Sequence, residues 1–223
     1  MLHAGQRDEP GSTEALETLC RAYWFPLYAF ARREGHGPEE ARDLTQEFFS
    51  QLLGKNFLEA ADPNRGRFRS FLLASFKNMM AKERRAANRQ KRGGGAVVFS
   101  LDAWNPEERY AVEPAHALTP DRLFEREWAE ALLARTLERL KAQYADRALP
   151  FQELKVFLVG GRGAAPFAQV AARLGVGEGA LKLVVYRMRQ RYAQIFREEV
   201  AQTVEDAAEV EDEIRHVFAV LAG

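Results

Sequence analysis

Between Arg65 and Arg92 the residues Phe68, Phe71, Leu72, Ser75, Phe76 and Met79 recur at steps of three and four. That spacing gathers residues on one face of an α-helix, so the stretch predicts a helix with a buried stripe. Off the stripe the residues are nearly all basic. Arg65, Arg67, Arg69, Lys77, Lys82, Arg84, Arg85, Arg89, Lys91 and Arg92 stand against a single acid, Glu83. The expected outer side is a positive strip, which attracts phosphate.

The strip reflects segregation and not excess. Lys plus Arg and Asp plus Glu balance at 32 each, for a formal net charge of +0. A neutral chain with gathered bases argues for a local anion-binding surface and against a histone-like coat. At 223 residues the chain exceeds a single domain of about 100–150 residues, so two domains are expected. Cys20 is the only cysteine, which excludes an internal disulfide and fits a reducing compartment. No apolar run approaches the ~20 residues of a membrane span, and the start, MLHAGQRDEP, lacks the layout of a signal peptide. A cytoplasmic protein without a membrane span is expected.

Ser12 or Thr13 can cap a first helix with Leu16, Leu19, Cys20, Tyr23, Trp24 and Leu27 inward. Cys20 then reads as a small core residue. Pro26 should kink or divide this helix. A second helix starts at Pro38 and stops before Gly54, burying Ala41, Leu44, Phe48, Phe49, Leu52 and Leu53. Its outer side carries Glu39, Glu40, Asp43, Gln46, Glu47 and Ser50. This acidic ridge reads as a solvated face that complements the helix N-terminus, since Asp43 and Glu47 at i, i+4 have no further oxygen or histidine ligand nearby to complete a divalent-metal site. The turn-rich loop Asn56 to Gly66 leads into the basic helix.

Gly93 to Leu118 has scattered prolines and no sustained period and reads as a linker. Its glycine run is followed by no GK[ST], so it is not a phosphate-binding loop. Thr119, Pro120 and Asp121 then open a helix reaching about Tyr144, with Phe124, Trp128, Ala131, Leu132, Leu133, Leu137 and Leu140 inward. A short helix is expected from Pro150 to Val159, followed by the glycine-rich connection GGRGAAP. The run PFAQVAARLGVGEGALKLVVYRMRQRY has the form of a helix-turn-helix. Phe167, Val170, Ala171 and Leu174 pack, Gly175 makes the turn, and a second helix starts near Glu178. Leu181, Val184 and Val185 anchor that helix and leave Lys182, Tyr186, Arg187, Arg189 and Arg191 outward, a set suited to a major groove.

This order of features resembles the extracytoplasmic-function group of RNA polymerase sigma factors. ARDLTQEFFSQLL, Ala41 to Leu53, is similar to the segment with which that family docks on the coiled coil of the polymerase β′ subunit. DPNRGRFRSFLLASFKN, Asp62 to Asn78, is similar to its approach to the promoter-melting helix, with Asn78 placed as the asparagine beside an extruded base of the minus-ten element. GVGEGALKLVVYRMR, Gly175 to Arg189, resembles its minus-thirty-five reader. The resemblance covers residues 12–92 and 120–197.

The resemblance implies an all-α protein of two small helical domains joined by a flexible linker. Residues 1–92 would be a region 2-like bundle, 93–118 the linker, 119–197 a region 4-like helix-turn-helix domain, and 198–223 an acidic amphipathic tail outside the family pattern. Asp43, Gln46 and Glu47 would bind polymerase. Arg67, Ser70, Lys77, Asn78, Lys82 and Arg85 would meet the minus-ten side of the promoter, and Lys182, Tyr186, Arg187 and Arg189 the minus-thirty-five side. The implied partners are core RNA polymerase through its β′ and β subunits, promoter DNA, and an anti-sigma or other regulatory protein. No cofactor is called for.

Three departures bear on this. Gly177 replaces the usual serine cap, Leu183-Val184 replaces the usual Ser-Arg pair, and GGRGAAP is longer than the family's connection. In the tail, Glu198, Glu199, Glu205, Asp206, Glu209, Glu211, Asp212 and Glu213 alternate with Val200, Val204, Ile214, Val217, Phe218 and Leu221. It is expected either to pack on the second domain or to cover basic DNA-binding surface. His3, His36, His116 and His216 are dispersed and no nucleophile has a base at a recognisable spacing, so no catalytic or metal site is expected. A helix-turn-helix regulator acting without polymerase, and a helical module that binds an acidic protein, are the competing functions.

Overall fold

A computed structural model describes residues 12–53, 67–87, 106–112, 118–145, 147–158, 166–204 and 206–223. These residues are all-α, as expected, and contain no strand. The helices are α1 (Ser12–Arg33), α2 (Pro38–Leu53), α3 (Phe68–Ala87), α4 (Pro106–Val112), α5 (Pro120–Gln143), α6 (Phe151–Lys155), α7 (Phe167–Leu174), α8 (Glu178–Ala201) and α9 (Val210–Ala222). The loop 54–66, the connection 159–165, most of the anticipated linker, and Arg65, Arg89, Lys91 and Arg92 lie outside the described residues.

Pro26 does not divide α1, which continues through it to Arg33. A proline inside a helix costs about 3 kcal/mol through its missing N–H and ring clash. Here Tyr23, Phe25, Leu27, Tyr28 and Phe30 are all buried around it, and that burial offsets the loss. Gly35, at φ 98°, ends the helix, with its own N–H and that of His36 closing on Arg32 and Ala31 carbonyls at 3.1 and 3.2 Å. Pro38 and the first-turn acids Glu39 and Glu40 then start α2.

The chain forms two compact units, residues 1–131 with 202–223, and residues 132–201. These boundaries differ from those expected. Pro120–Ala131 of α5 and the tail helix α9 belong to the first unit, and part of the anticipated linker is the helix α4. The cause lies in side chains. Glu107 of α4 accepts from Tyr28 at 2.6 Å and from Arg32 at 2.8 and 3.0 Å, and Arg109 pairs with the buried Glu127 while lying 3.9 Å over the Phe25 ring. Trp128 is fully buried and donates its indole N–H to the Tyr23 hydroxyl at 3.1 Å.

In the first unit, α1, α2 and α3 pack around an aromatic cluster. Phe76 meets Phe48 and Phe30 edge-to-face, at 5.2 and 6.2 Å between ring centres. Leu72, Phe76 and Met79 are buried as the periodicity required, and Cys20 is a buried core residue.

In the second unit, Leu140, Phe151, Leu154, Phe157, Val170, Ala171, Leu181, Val185, Met188 and Ile195 form one core. The helix-turn-helix is present. Gly175 adopts φ 68°, ψ 28° and its N–H closes on α7, while Val176 donates to the Ala171 carbonyl at 3.0 Å. A Cβ at Gly175 or at Gly177 would meet nothing within 4 Å, and Gly175 alone of the two has positive φ. Gly175→Val should therefore destabilise the second unit by about 1–2 kcal/mol through backbone strain alone. Gly177→Ala should be tolerated, and denaturant melts of the two variants check the contrast.

Candidate functional site

The start of α3 departs from the expected solvated strip. Arg69 falls three residues before Leu72 and seven before Phe76, within the core stripe, and only 4 % of it is exposed. Its guanidinium lies 4.6 Å over the Trp128 ring and pairs with Glu213 of α9. Arg67 Nε reaches the other Glu213 oxygen at 3.0 Å. Lys77 pairs with Asp121 in the first turn of α5 and lies 5.3 Å over the Phe30 ring. Of the six residues expected on the minus-ten side, Arg67 and Lys77 thus have acidic partners, while Ser70, Asn78, Lys82 and Arg85 are exposed.

These four recur along one side of α3 with Ala74, which is also exposed. Arg85 donates from Nε to the Ala81 carbonyl at 3.0 Å, which fixes the start of its guanidinium and leaves the outer nitrogens for a ligand. Arg84, beside it, is exposed. The outcome is a cationic surface on the second half of α3, with the small residues Ser70 and Ala74 before it.

The tail is divided. Glu198 and Glu199 at its start pair with Arg139 in the second unit, while residues 202–223 belong to the first unit, where Val210, Glu213 and Val217 form the buried face of α9 and the acid takes the two bases nearest the start of α3. Glu211 and Asp212 remain exposed, and Asp212 pairs with Arg215. Burial, and then repulsion from Arg67, lower the Arg69 guanidinium to about 10, which keeps it charged at neutral pH. His216, one turn from Asp212, sits 6.4 Å from the Trp128 ring centre and 3.5 Å from Glu125. Burial and the cationic Arg69 push its imidazole below the usual histidine value, outweighing the upward pull of Glu125.

On α2, Asp43 is exposed and Gln46 and Glu47 are half-buried along the same side. Glu47 accepts from Gln51 at 2.8 Å, and Glu40, at the upstream end of the ridge, lies 2.9 Å from His36. The opposite face is fixed by Ala41, Leu44, Phe48 and Leu52, all buried. Thr45, also buried, is satisfied by donating to the Ala41 carbonyl at 2.7 Å.

In the second unit α8 starts at Glu178, buries Leu181, Val185 and Met188, and leaves Lys182, Leu183, Tyr186, Arg187 and Arg189 exposed. Lys182 makes a surface pair with Glu178 at 2.6 Å. Arg189, though exposed as expected, is also engaged within the unit. Its Nε and Nη2 donate to the Phe157 carbonyl at 2.9 and 2.6 Å, so it caps the segment after α6. The outward line is Gly179, Leu183, Tyr186 and Gln190, with Lys182 and Arg187 beside it. Near the C-terminus of α8 the buried Glu199 holds Arg135 and Arg139 of α5 at 2.5 and 2.6 Å, fixing the helix from its other end.

No group of three or more His, Cys, Asp or Glu among the described residues could hold a metal ion. No described helix is long and apolar enough to cross a membrane. In comparisons with protein-family models, with curated proteins and with solved structures, nothing matches the chain.

Glu213→Ala removes the partner of two arginines, one of them buried, and should destabilise the protein by about 3–5 kcal/mol in denaturant melts. The lowered His216 pKa gives a pH prediction of defined sign. As pH falls, the unfolded chain takes up the proton first, so stability is lost as pH passes down through about 6.5 towards the folded value. His216→Gln should reduce this loss between pH 7.5 and pH 5.5, as read by thermal melts of both proteins at about these two pH values.

Proposed function

We propose that the chain is a sigma-type initiation factor, which binds core RNA polymerase, recognises promoter DNA and assists strand opening. What carries this function is the presence of a separate candidate DNA-facing line in each unit. Ser70, Asn78, Lys82 and Arg85 are exposed along α3, and Lys182, Leu183, Tyr186 and Arg187 along the second helix of a helix-turn-helix. A regulator that uses only a helix-turn-helix has no need of the first line.

Chemistry divides the roles. Lys82 and Arg85 are point and forked cations suited to backbone phosphates, which position a protein without reading sequence. Asn78 carries both a donor and an acceptor and can pair with the edge of an unstacked base. Ser70 and Ala74 give close approach on the same side. Asp43, Gln46 and Glu47 supply a negative edge for a basic polymerase surface, in keeping with their resemblance to the family's β′-docking segment. Arg67 and Lys77 contribute less than their sequence positions suggest, because Glu213 and Asp121 already neutralise them.

That neutralisation is the observation that favours a second reading, in which the helix-turn-helix binds duplex DNA without polymerase. The two differ at α2. For an initiation factor, Asp43→Lys with Glu47→Lys should lower affinity for core polymerase by at least about tenfold and abolish run-off transcription from a fixed start. A stand-alone regulator would bind its site equally well with the double reversal. Arg85→Ala should reduce the slope of log affinity against log salt by about 0.7–0.9, and Asn78→Ala should impair opening of particular sequences while leaving that slope unchanged.

A further inference from the structure

We propose that the outward line of α8 selects thymine, reading its C5-methyl group in the major groove through Leu183 with Tyr186 beside it. The inference rests on the DNA-binding part of the function proposed above and is independent of polymerase. Among the described residues the exposed large hydrophobics are Val156, Leu183, Tyr186 and Phe218. Leu183 and Tyr186 stand three residues apart on one face of one helix, with 49 % and 59 % of their surfaces exposed. They occupy the first half of α8, the part of a helix-turn-helix that meets base edges.

Each base pair presents a distinct edge in the major groove, and chemistry decides which one a leucine can select. Guanine and adenine offer N7 with O6 or N6, and cytosine offers an amino donor. Thymine alone adds a methyl group. Leucine has neither donor nor acceptor, so against the other bases it would desolvate a polar edge without replacing a hydrogen bond. Against thymine it buries two apolar groups together. Tyr186 extends the apolar patch and carries a hydroxyl able to bond to a phosphate oxygen.

The surroundings fit duplex DNA. Lys182 and Arg187 flank the patch and are exposed, Arg187 on one side of the apolar line and Lys182, in its surface pair with Glu178 at 2.6 Å, on the other. One turn earlier stands Gly179, where even a Cβ would meet only open space, next to the exposed Ala180. On the side of Gly179 the start of the helix thus has no bulky side chain to hold a base edge away from Leu183, Glu178 being held on the other side by Lys182. An apolar protein partner would also bury Leu183 and Tyr186, but it would gain nothing from paired flanking cations, and it would be indifferent to a methyl group on DNA.

The test uses the full-length chain, alone and in complex with core polymerase. Duplexes selected from a randomised pool are resynthesised with deoxyuridine in place of single thymidines, which removes only the methyl group. The expected result is a thymine-containing site in which one or two such replacements each lower affinity by about fourfold. Leu183→Ala should lose a similar factor on the thymidine duplex and bind the deoxyuridine duplex as the native chain does. Leu183→Met should retain the preference. Circular dichroism should show all variants folded, as expected for a half-exposed position. Equal affinity of the native chain for both duplexes would overturn the inference, as would an unchanged thymine preference in Leu183→Ala. Failure to select any duplex in either form would overturn it together with the DNA-binding function. Thymine selection without a fixed transcription start would leave it standing and overturn only the initiation role.

Discussion

A guanidinium in an apolar core must meet an anion, and in the first unit that requirement joins three distant parts of the chain. Arg69 of α3 is covered by the Trp128 ring of α5 and neutralised by Glu213 of α9. The side chains of Arg69 and Glu213 are almost wholly excluded from water. Replacing either one alone leaves the other as an uncompensated buried charge, which is far more costly than loss of a surface pair. The tail helix is thus part of the fold that holds α3. Arg67, on the rim of the same cluster, is drawn to Glu213 as well, so packing sets the upstream limit of the cationic surface.

Most of the helices were legible because their apolar residues are periodic, and the helix-turn-helix was legible because Gly175 marks its turn. What sequence reasoning missed was charge in core register. Arg69 falls on the stripe of Leu72 and Phe76, and Glu213 falls between Val210 and Val217, and all six are buried. A base on one stripe and an acid on another was the available signal for a buried pair across 144 positions of sequence. Reading α3 as stripe and strip assigned every arginine outward and hid it. The helix α4 escaped for a different reason. Seven residues are too few for a period, although Pro106 with Glu107 and Glu108 has the chemistry of a helix start.

The second unit shows how position and exposure separate roles that composition merges. Arg187 and Arg189 are both exposed arginines on α8, yet Arg189 is turned back to the Phe157 carbonyl. α6 ends at Lys155, earlier than its apolar pattern suggested, and the carbonyls past its end need donors. A nearby arginine supplies two N–H groups at once, so a residue read only as a DNA contact also serves as a capping group. Leu183 is apolar yet exposed, because Leu181, Val185 and Met188 fill the inward register and leave it outside.

A neutral chain can still present strong local fields, because screening limits the reach of exposed charge to about 8 Å at physiological ionic strength. Within that range the partners of each base matter more than the total of 32 against 32. Intramolecular acids claim Arg67, Arg69 and Lys77 on α3 and Arg135 and Arg139 on α5. Lys82, Arg84 and Arg85 are left exposed on the second half of α3, and Lys182 and Arg187 on the first half of α8. On α3 the buried Glu213 and the exposed Asp121 therefore shape the cationic surface by subtraction, while on α8 Lys182 keeps a surface pair with Glu178. Each surface lies beside residues with recognition chemistry of their own, Asn78 on α3 and the Leu183–Tyr186 pair on α8. Cations next to groups that can read a base would give the proposed factor both attraction to DNA and discrimination among its sequences.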